Sequence, residues 1–189
     1  MRWPALLLAR GSLPLLAPRL GRPLTRRLSV DARLAELGYE LPPVGSPKGS
    51  YRMTSQCGST LYLAGHIPMT AGGALVTGRV GEDVSEEDAR EAAKLVGLSM
   101  IATLKDAVGL ENVVQIHKLV GFVNCADDFT NQPYVVNGCS DLMFEVFGDK
   151  GKHARSAVGT NVLPLNVPVE IEAIVEVAGP RRSFAPFFK

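Results

Sequence analysis

From Val169 to Val177 the chain alternates with a period of two, with Val169, Ile171, Ala173, Val175 and Val177 on one side and Glu170, Glu172, Ile174 and Glu176 on the other. Successive side chains of a strand point to opposite faces of a sheet, so this segment demands a core on one face and solvent on the other. A chain that carries it must also supply a cover for the apolar face. Two segments have the matching pattern. Ser85, followed by Glu86, Glu87 and Asp88, is a capped helix start, and Ala89, Ala93, Val96, Met100, Leu104 and Ala107 recur at helical spacing until Gly109. Gly97 inside that stripe lets another backbone approach closely. The second helix is expected from about Pro133 to Phe147, with Val135 or Val136, Cys139, Leu142, Met143 and Val146 on one face and Gly148 at the stop.

The remaining elements are shorter. Asp31 to Leu37 is expected as a brief helix capped by Asp31 and ended by Gly38, and Leu41 to Gly49 as a loop with three prolines and two glycines. Strands are expected over Tyr51–Gln56 and Thr60–Ile67, joined at Cys57-Gly58-Ser59, then Val113–Val123, Ala154–Val162 and Pro168–Val177. Strands and long helices therefore interleave as β-β-α-β-α-β-β. The fold class this implies is α+β, a single β-sheet with two helices packed on one face.

Charge divides the chain. Residues 1–30 hold six arginines, nine leucines and four prolines with no Asp or Glu, and the first acid is Asp31. Removing six of the 20 basic residues leaves 14 against 19 acids, so the chain from Asp31 onward carries a formal charge of −5. An Arg-rich, acid-free, apolar leader reads as a mitochondrial transit peptide over residues 1–30, removed near Arg26-Arg27-Leu28-Ser29, and places the protein in the mitochondrial matrix. The rival readings are a secretory signal with Trp3–Ala9 as its core and a basic arm for an anionic partner. Residues 31–178 then form one domain and residues 179–189 a C-terminal tail with Arg181, Arg182 and three phenylalanines. No apolar run approaches the ~20 residues that span a bilayer, and three cysteines without an Asn-x-Ser/Thr triplet point to a reducing compartment.

General catalytic motifs are missing from the sequence. His66, His117 and His153 are far apart, Cys57, Cys125 and Cys139 form no Cys-x-x-Cys pair, and neither Gly-x-Gly-x-x-Gly nor a Walker lysine occurs, so no metal or cofactor is expected. The informative pair is Arg155, near the start of an expected interior strand, with Glu170 on the polar face of the next strand. One reading is a surface salt bridge of little energetic weight. The other is a guanidinium that grips a carboxylate beside a carboxylate that orients water.

Around these residues the sequence resembles a known family. Ala154-Arg-Ser-Ala-Val-Gly159, Leu163-Pro164 and Val167-Pro-Val-Glu-Ile-Glu-Ala-Ile174 resemble the C-terminal signature of the Rid (reactive intermediate deaminase) or YjgF-like superfamily. Asn137-Gly-Cys-Ser-Asp141, Phe147-Gly148 and Gly151-Lys-His-Ala-Arg155 are similar to its chorismate-mutase-like branch, and Leu63-Ala-Gly-His-Ile-Pro68 takes the place of an apolar-Ser-Gly-Gln-x-Pro element. The resemblance covers about Leu34 to Val177. It implies a sheet with two helices on one side, assembled as a homotrimer with clefts between subunits. It further implies that Arg155 holds the carboxylate of a 2-imino or enamine acid and that Glu170 positions water at the imine carbon, releasing ammonia and a 2-oxo acid. Tyr51, Gly65, His66, Asn137 and Ala157 are the implied substrate-binding positions. Two departures stand out, since a Gly-Pro-Tyr-Ser-Gln segment is here Gly49-Ser50-Tyr51-Arg52-Met53 and a strand glutamine is His66.

The implied activity is hydrolytic deamination without metal or cofactor, because an imine is already electrophilic and needs mainly positioning. The alternative is a noncatalytic trimer that binds a small carboxylate or regulates a protein partner. RNA cleavage and chorismate mutase activity are weaker readings. The −5 charge opposes nucleic acid, and likeness of fold does not fix function.

Overall fold

The computed structural model describes residues 28–70 and 72–179. The expected leader up to Arg27 and the expected tail from Pro180 to Lys189 lie outside the described residues. Three α-helices, α1 (Val30–Glu36), α2 (Glu86–Ala107) and α3 (Gln132–Phe147), accompany five strands, β1 (Thr54–Cys57), β2 (Thr60–His66), β3 (Val113–Asn124), β4 (Ala154–Thr160) and β5 (Val169–Val177). The strands form one mixed sheet in the order β1-β2-β5-β3-β4. β5, the alternating strand, lies at the centre and pairs antiparallel with β2 and β3. β4 pairs parallel with β3 through the crossover helix α3 and forms an edge. The expectation that Arg155 lies in an interior strand is therefore corrected, because the βαβ crossover puts the later strand outside the earlier one.

α2 and α3 pack on each other and on one sheet face. Val169, Ile171, Ala173, Val175 and Val177 of β5 all enter the core with Ala93, Val96, Met100, Ile101 and Leu104 of α2 and Val135, Val136, Cys139, Leu142 and Met143 of α3. Fully burying each of the larger aliphatic chains contributes about 1.5–3 kcal/mol, so the helix cover is what makes the sheet stable. Ser85 caps α2 by accepting from the Asp88 amide at 3.1 Å, as its residue type requires. α1 is capped by Ser29 rather than by Asp31, whose carboxylate instead accepts from Lys105 Nζ at 2.6 Å. This third helix packs near the end of α3, where Arg33 Nε donates to the Glu145 carbonyl.

The opposite sheet face is open. Tyr62 and Val158, 47% and 46% exposed, share it with Ile174, Val120, Phe122, Glu170 and Glu172. A bulge in β2 decides which residues join that face. Leu63 pairs with Ala173 but His66 pairs with Ile171, so one extra residue sits between them. The extra residue inverts the parity of the strand end.

Candidate functional site

Arg155 sits on the helix side of β4, opposite Leu119 of β3. α3 reaches it because the intervening surface is small: a Cβ on Gly121 would come within 2.7 Å of Val136, so that helix lies almost on the β3 backbone. Arg155 Nη1 donates to Asn137 Oδ1 at 2.7 Å and to Ser140 Oγ at 3.0 Å, two positions one helical turn apart. Both hydrogens of that nitrogen are thereby used. The Nε and Nη2 hydrogens have no partner among the described residues, and no acidic side chain of the described chain pairs with this half-buried cation. The edge so presented is one that a carboxylate takes in two-pronged fashion.

Ser140, Phe144, Gly151, Lys152, His153 and Arg155 line an open cleft of about 280 Å³. Lys152 lies 5.1 Å over the Phe144 ring and pairs with Asp149 at 2.8 Å, so its charge is already engaged. His153 Nδ1 meets the Gly151 carbonyl at 2.6 Å and Nε2 meets Ser140 Oγ at 3.1 Å. Burial first, and then the neighbouring guanidinium, lower the pKa of this ring. Cys139, beside Ser140, is fully buried and its thiol is pushed up to about 12, so it stays protonated and behaves as a core residue.

Glu170 faces the other way. It pairs with Phe122 and projects from the open face over the β2 bulge, where a Cβ on Gly65 would meet Glu170 Oε1 at 1.8 Å. Only glycine leaves room for the carboxylate there. Partial burial first, and then Glu172, raise its pKa above the ordinary range, and it makes no side-chain hydrogen bond or ion pair among the described residues. Within one chain Arg155 and Glu170 thus lie on opposite faces of the sheet with β3 between their strands. They make no salt bridge, contrary to the simpler reading of the pair.

The other expected positions divide. Asn137 holds Arg155, and Gly65 lies beneath Glu170. Ala157, opposite Gly121, is partly buried against the core two residues after Arg155. Tyr51 is 49% exposed in a loop and not in β1, with its hydroxyl accepting from the Lys48 amide at 3.3 Å. That loop ends where Ala64 N donates to the Met53 carbonyl, which brings it beside the β2 bulge. His66 is not brought into either group. The bulge turns it into the core, 4% exposed, where Nδ1 donates to the Ala64 carbonyl at 2.6 Å and Nε2 accepts from Thr103 Oγ1 of α2 at 2.9 Å. It is a satisfied buried strut whose pKa burial lowers. Ser140 was not among the expected site residues, although its spacing of three from Asn137 was a usable signal. Among the described residues no three His, Cys, Asp or Glu side chains converge on a metal site, and no helix is long and apolar enough to cross a membrane.

The architecture defines a class: a small α+β domain with one mixed sheet, helices on one face and a guanidinium-lined cleft at its parallel edge. Residues 31–177 match the family model described as "YjgF/chorismate mutase-like, putative endoribonuclease", and the chain belongs to this Rid/YjgF family. It is 37% identical over 150 residues to protein TCP17 of Trypanosoma cruzi, covering 78% of this chain and 94% of that protein. It is 31% identical over 138 residues, 72% of this chain and 92% of the relative, to a 2-iminobutanoate/2-iminopropanoate deaminase of Dermatophagoides farinae. A crystal structure of a "putative endoribonuclease" from Shewanella oneidensis superposes with a TM-score of 0.77 at 34% identity, covering 79% of this chain and all of that one.

Proposed function

We propose that the protein hydrolyses short-lived 2-imino or enamine acids to 2-oxo acids and ammonia. The observation that carries this reading is the open edge of Arg155, held by neutral oxygens and without an anionic partner among the described residues. A half-buried cation without a counter-charge is costly unless a ligand supplies one. The substrate carboxylate docks on Nε and Nη2, and Glu170 accepts a proton from water as that water attacks the imine carbon. Glu170 returns that proton to the nitrogen to give the carbinolamine, whose hydroxyl proton moves to the amine as the C–N bond breaks, releasing ammonia and leaving the 2-oxo acid. The raised pKa of Glu170 suits a general base, since it lies nearer to neutral pH than an ordinary carboxylate. The deaminase relative supports the same chemistry.

Because the two residues lie on opposite faces of one sheet, the complete site needs a second copy, whose open face brings Glu170 and Gly65 to the Arg155 edge of its neighbour. Closure by three such contacts is a homotrimer, the assembly we propose. The acid-free leader further supports a place in the mitochondrial matrix.

The experiment is hydrolysis of freshly generated 2-iminobutanoate by the full chain. Arg155→Ala is expected to lower kcat/KM at least about 100-fold, the worth of a charge-assisted pair near ~3 kcal/mol, and Glu170→Gln to lower kcat by about 10²–10⁴-fold. A second reading, a carboxylate-binding module without turnover, is favoured by the absence of an acid beside Arg155 among the described residues. Product binding that depends on Arg155, with no acceleration of hydrolysis, would decide for it. Full activity of both variants would overturn the proposal.

A further inference from the structure

With His153 neutral, the hydrogen bonds beside Arg155 admit one arrangement of protons. The Gly151 carbonyl can only accept, so His153 carries its proton on Nδ1 and offers a lone pair at Nε2. Ser140 must then donate its hydroxyl proton to Nε2, which leaves its oxygen free to accept from Arg155 Nη1. A neutral imidazole, a hydroxyl and a guanidinium are thus connected in series, and all three line the cleft. Protonating His153 turns Nε2 into a donor. Ser140 must then rotate its proton away and take hydrogens from two cations at once.

We propose that Ser140 and His153 are positioning residues for Arg155 that make ligand binding proton-linked: neutral His153 orients Ser140 to hold the guanidinium, and an anion docking on Arg155 draws a proton onto His153. This rests on the reading of Arg155 as a carboxylate clamp. The reasoning is mutual repulsion across one oxygen atom, which a bound carboxylate cancels. By reciprocity, whatever eases protonation when the anion binds must tighten the anion when the proton binds.

The other groups around His153 do not provide this coupling. From the turn before β4, Lys152 is paired with Asp149, and from α3 the Cys139 thiol stays neutral. Gln115 of β3 donates to the Lys152 carbonyl and carries no charge. Arg155 is the cation that faces His153 from its own strand.

The test is a ¹⁵N NMR titration of the histidines in the full chain, with His153 assigned through His153→Gln. Free protein is expected to show the Nδ1–H tautomer and a midpoint below that of an exposed histidine. Saturating 2-oxobutanoate, ionised throughout, and Arg155→Gln without ligand should each raise the midpoint by about one unit, and Ser140→Ala should shrink the ligand-induced shift. In a Glu170→Gln background, which removes the titrating carboxylate that a second copy brings to the same edge, the Kd for 2-oxobutanoate should correspondingly fall up to about tenfold between pH 8 and 5.5, and this dependence should vanish when His153→Gln is added. Identical midpoints in wild type and folded Arg155→Gln would overturn the coupling, and that comparison needs no ligand. A pH dependence of binding that survives His153→Gln in the Glu170→Gln background would overturn the linkage. If Arg155→Gln moves the midpoint but 2-oxobutanoate does not bind, the coupling stands and the ligand class of the proposed function falls.

Discussion

Glu170 is held in a position that serves the fold poorly. Its carboxylate presses on the Gly65 backbone, partly buried, beside Glu172 and without a hydrogen-bond donor. A raised pKa in the folded state means that the folded chain binds this proton more readily than the unfolded chain. The stability from Glu170 is thus fully present below the ordinary glutamate pKa of about 4.3 and is lost as pH rises through the higher folded value. Glu170→Gln is therefore expected to melt above wild type at pH 7, with the gain disappearing below about pH 4, while turnover is lost. Thermal unfolding at the two pH values checks this, and a lower melting temperature at pH 7 would mean that a partner already satisfies the carboxylate. The pairing of Glu170 with Gly65 was legible only through family resemblance. The resemblance puts His66 in the same pocket as the counterpart of a strand glutamine, and a simple alternation cannot foresee the bulge that turns it toward Thr103.

The two long helices meet through glycines of unequal tolerance. A Cβ on Gly138 of α3 would lie 1.9 Å from the Arg90 carbonyl oxygen of α2, whereas one on Gly97 would meet the side chains of Leu142 at 2.8 Å and Cys139 at 3.3 Å. Backbone cannot yield as a side-chain tip can. Gly138→Ala is expected to cost about 3 kcal/mol, the upper range for overpacking, while Gly97→Ala gains up to about 1 kcal/mol in helix propensity and ends near neutral. Urea midpoints of the two variants test the order, and a reversed order would show that the helices do not pack as closely at Gly138 as described. Both helices were legible from caps and apolar spacing to within a residue or so. The bounds of β3 were legible to one residue, but its faces were not, since Val113, Ile116 and Leu119 are buried at intervals of three, a spacing produced by two register shifts against β5. A period of three matches neither a flat strand nor a helix.

For the whole molecule, β4 is an edge strand and one sheet face is open, and the proposed function uses both as the contacts that complete its site. Val158, 46% exposed beside Phe122, carries no part of the core. Val158→Asp is expected to dissociate the proposed trimer and abolish turnover while circular dichroism stays that of wild type. Light scattering with parallel assays checks it, and a trimeric, active Val158→Asp would remove this face from the assembly.

The sequence by itself determined the α+β class, the alternating strand and the two covering helices, because side-chain periodicity follows from local backbone geometry. It also named Arg155, Glu170, Gly65 and Asn137 through resemblance. Only the tertiary structure decided that β4 is an edge, that His66 turns inward, that Ser140 and His153 stand behind Arg155, and that the two principal residues face opposite ways. Each of these depends on strand order or on a register shift. Pairing between segments distant in the chain sets both, and no local pattern encodes them.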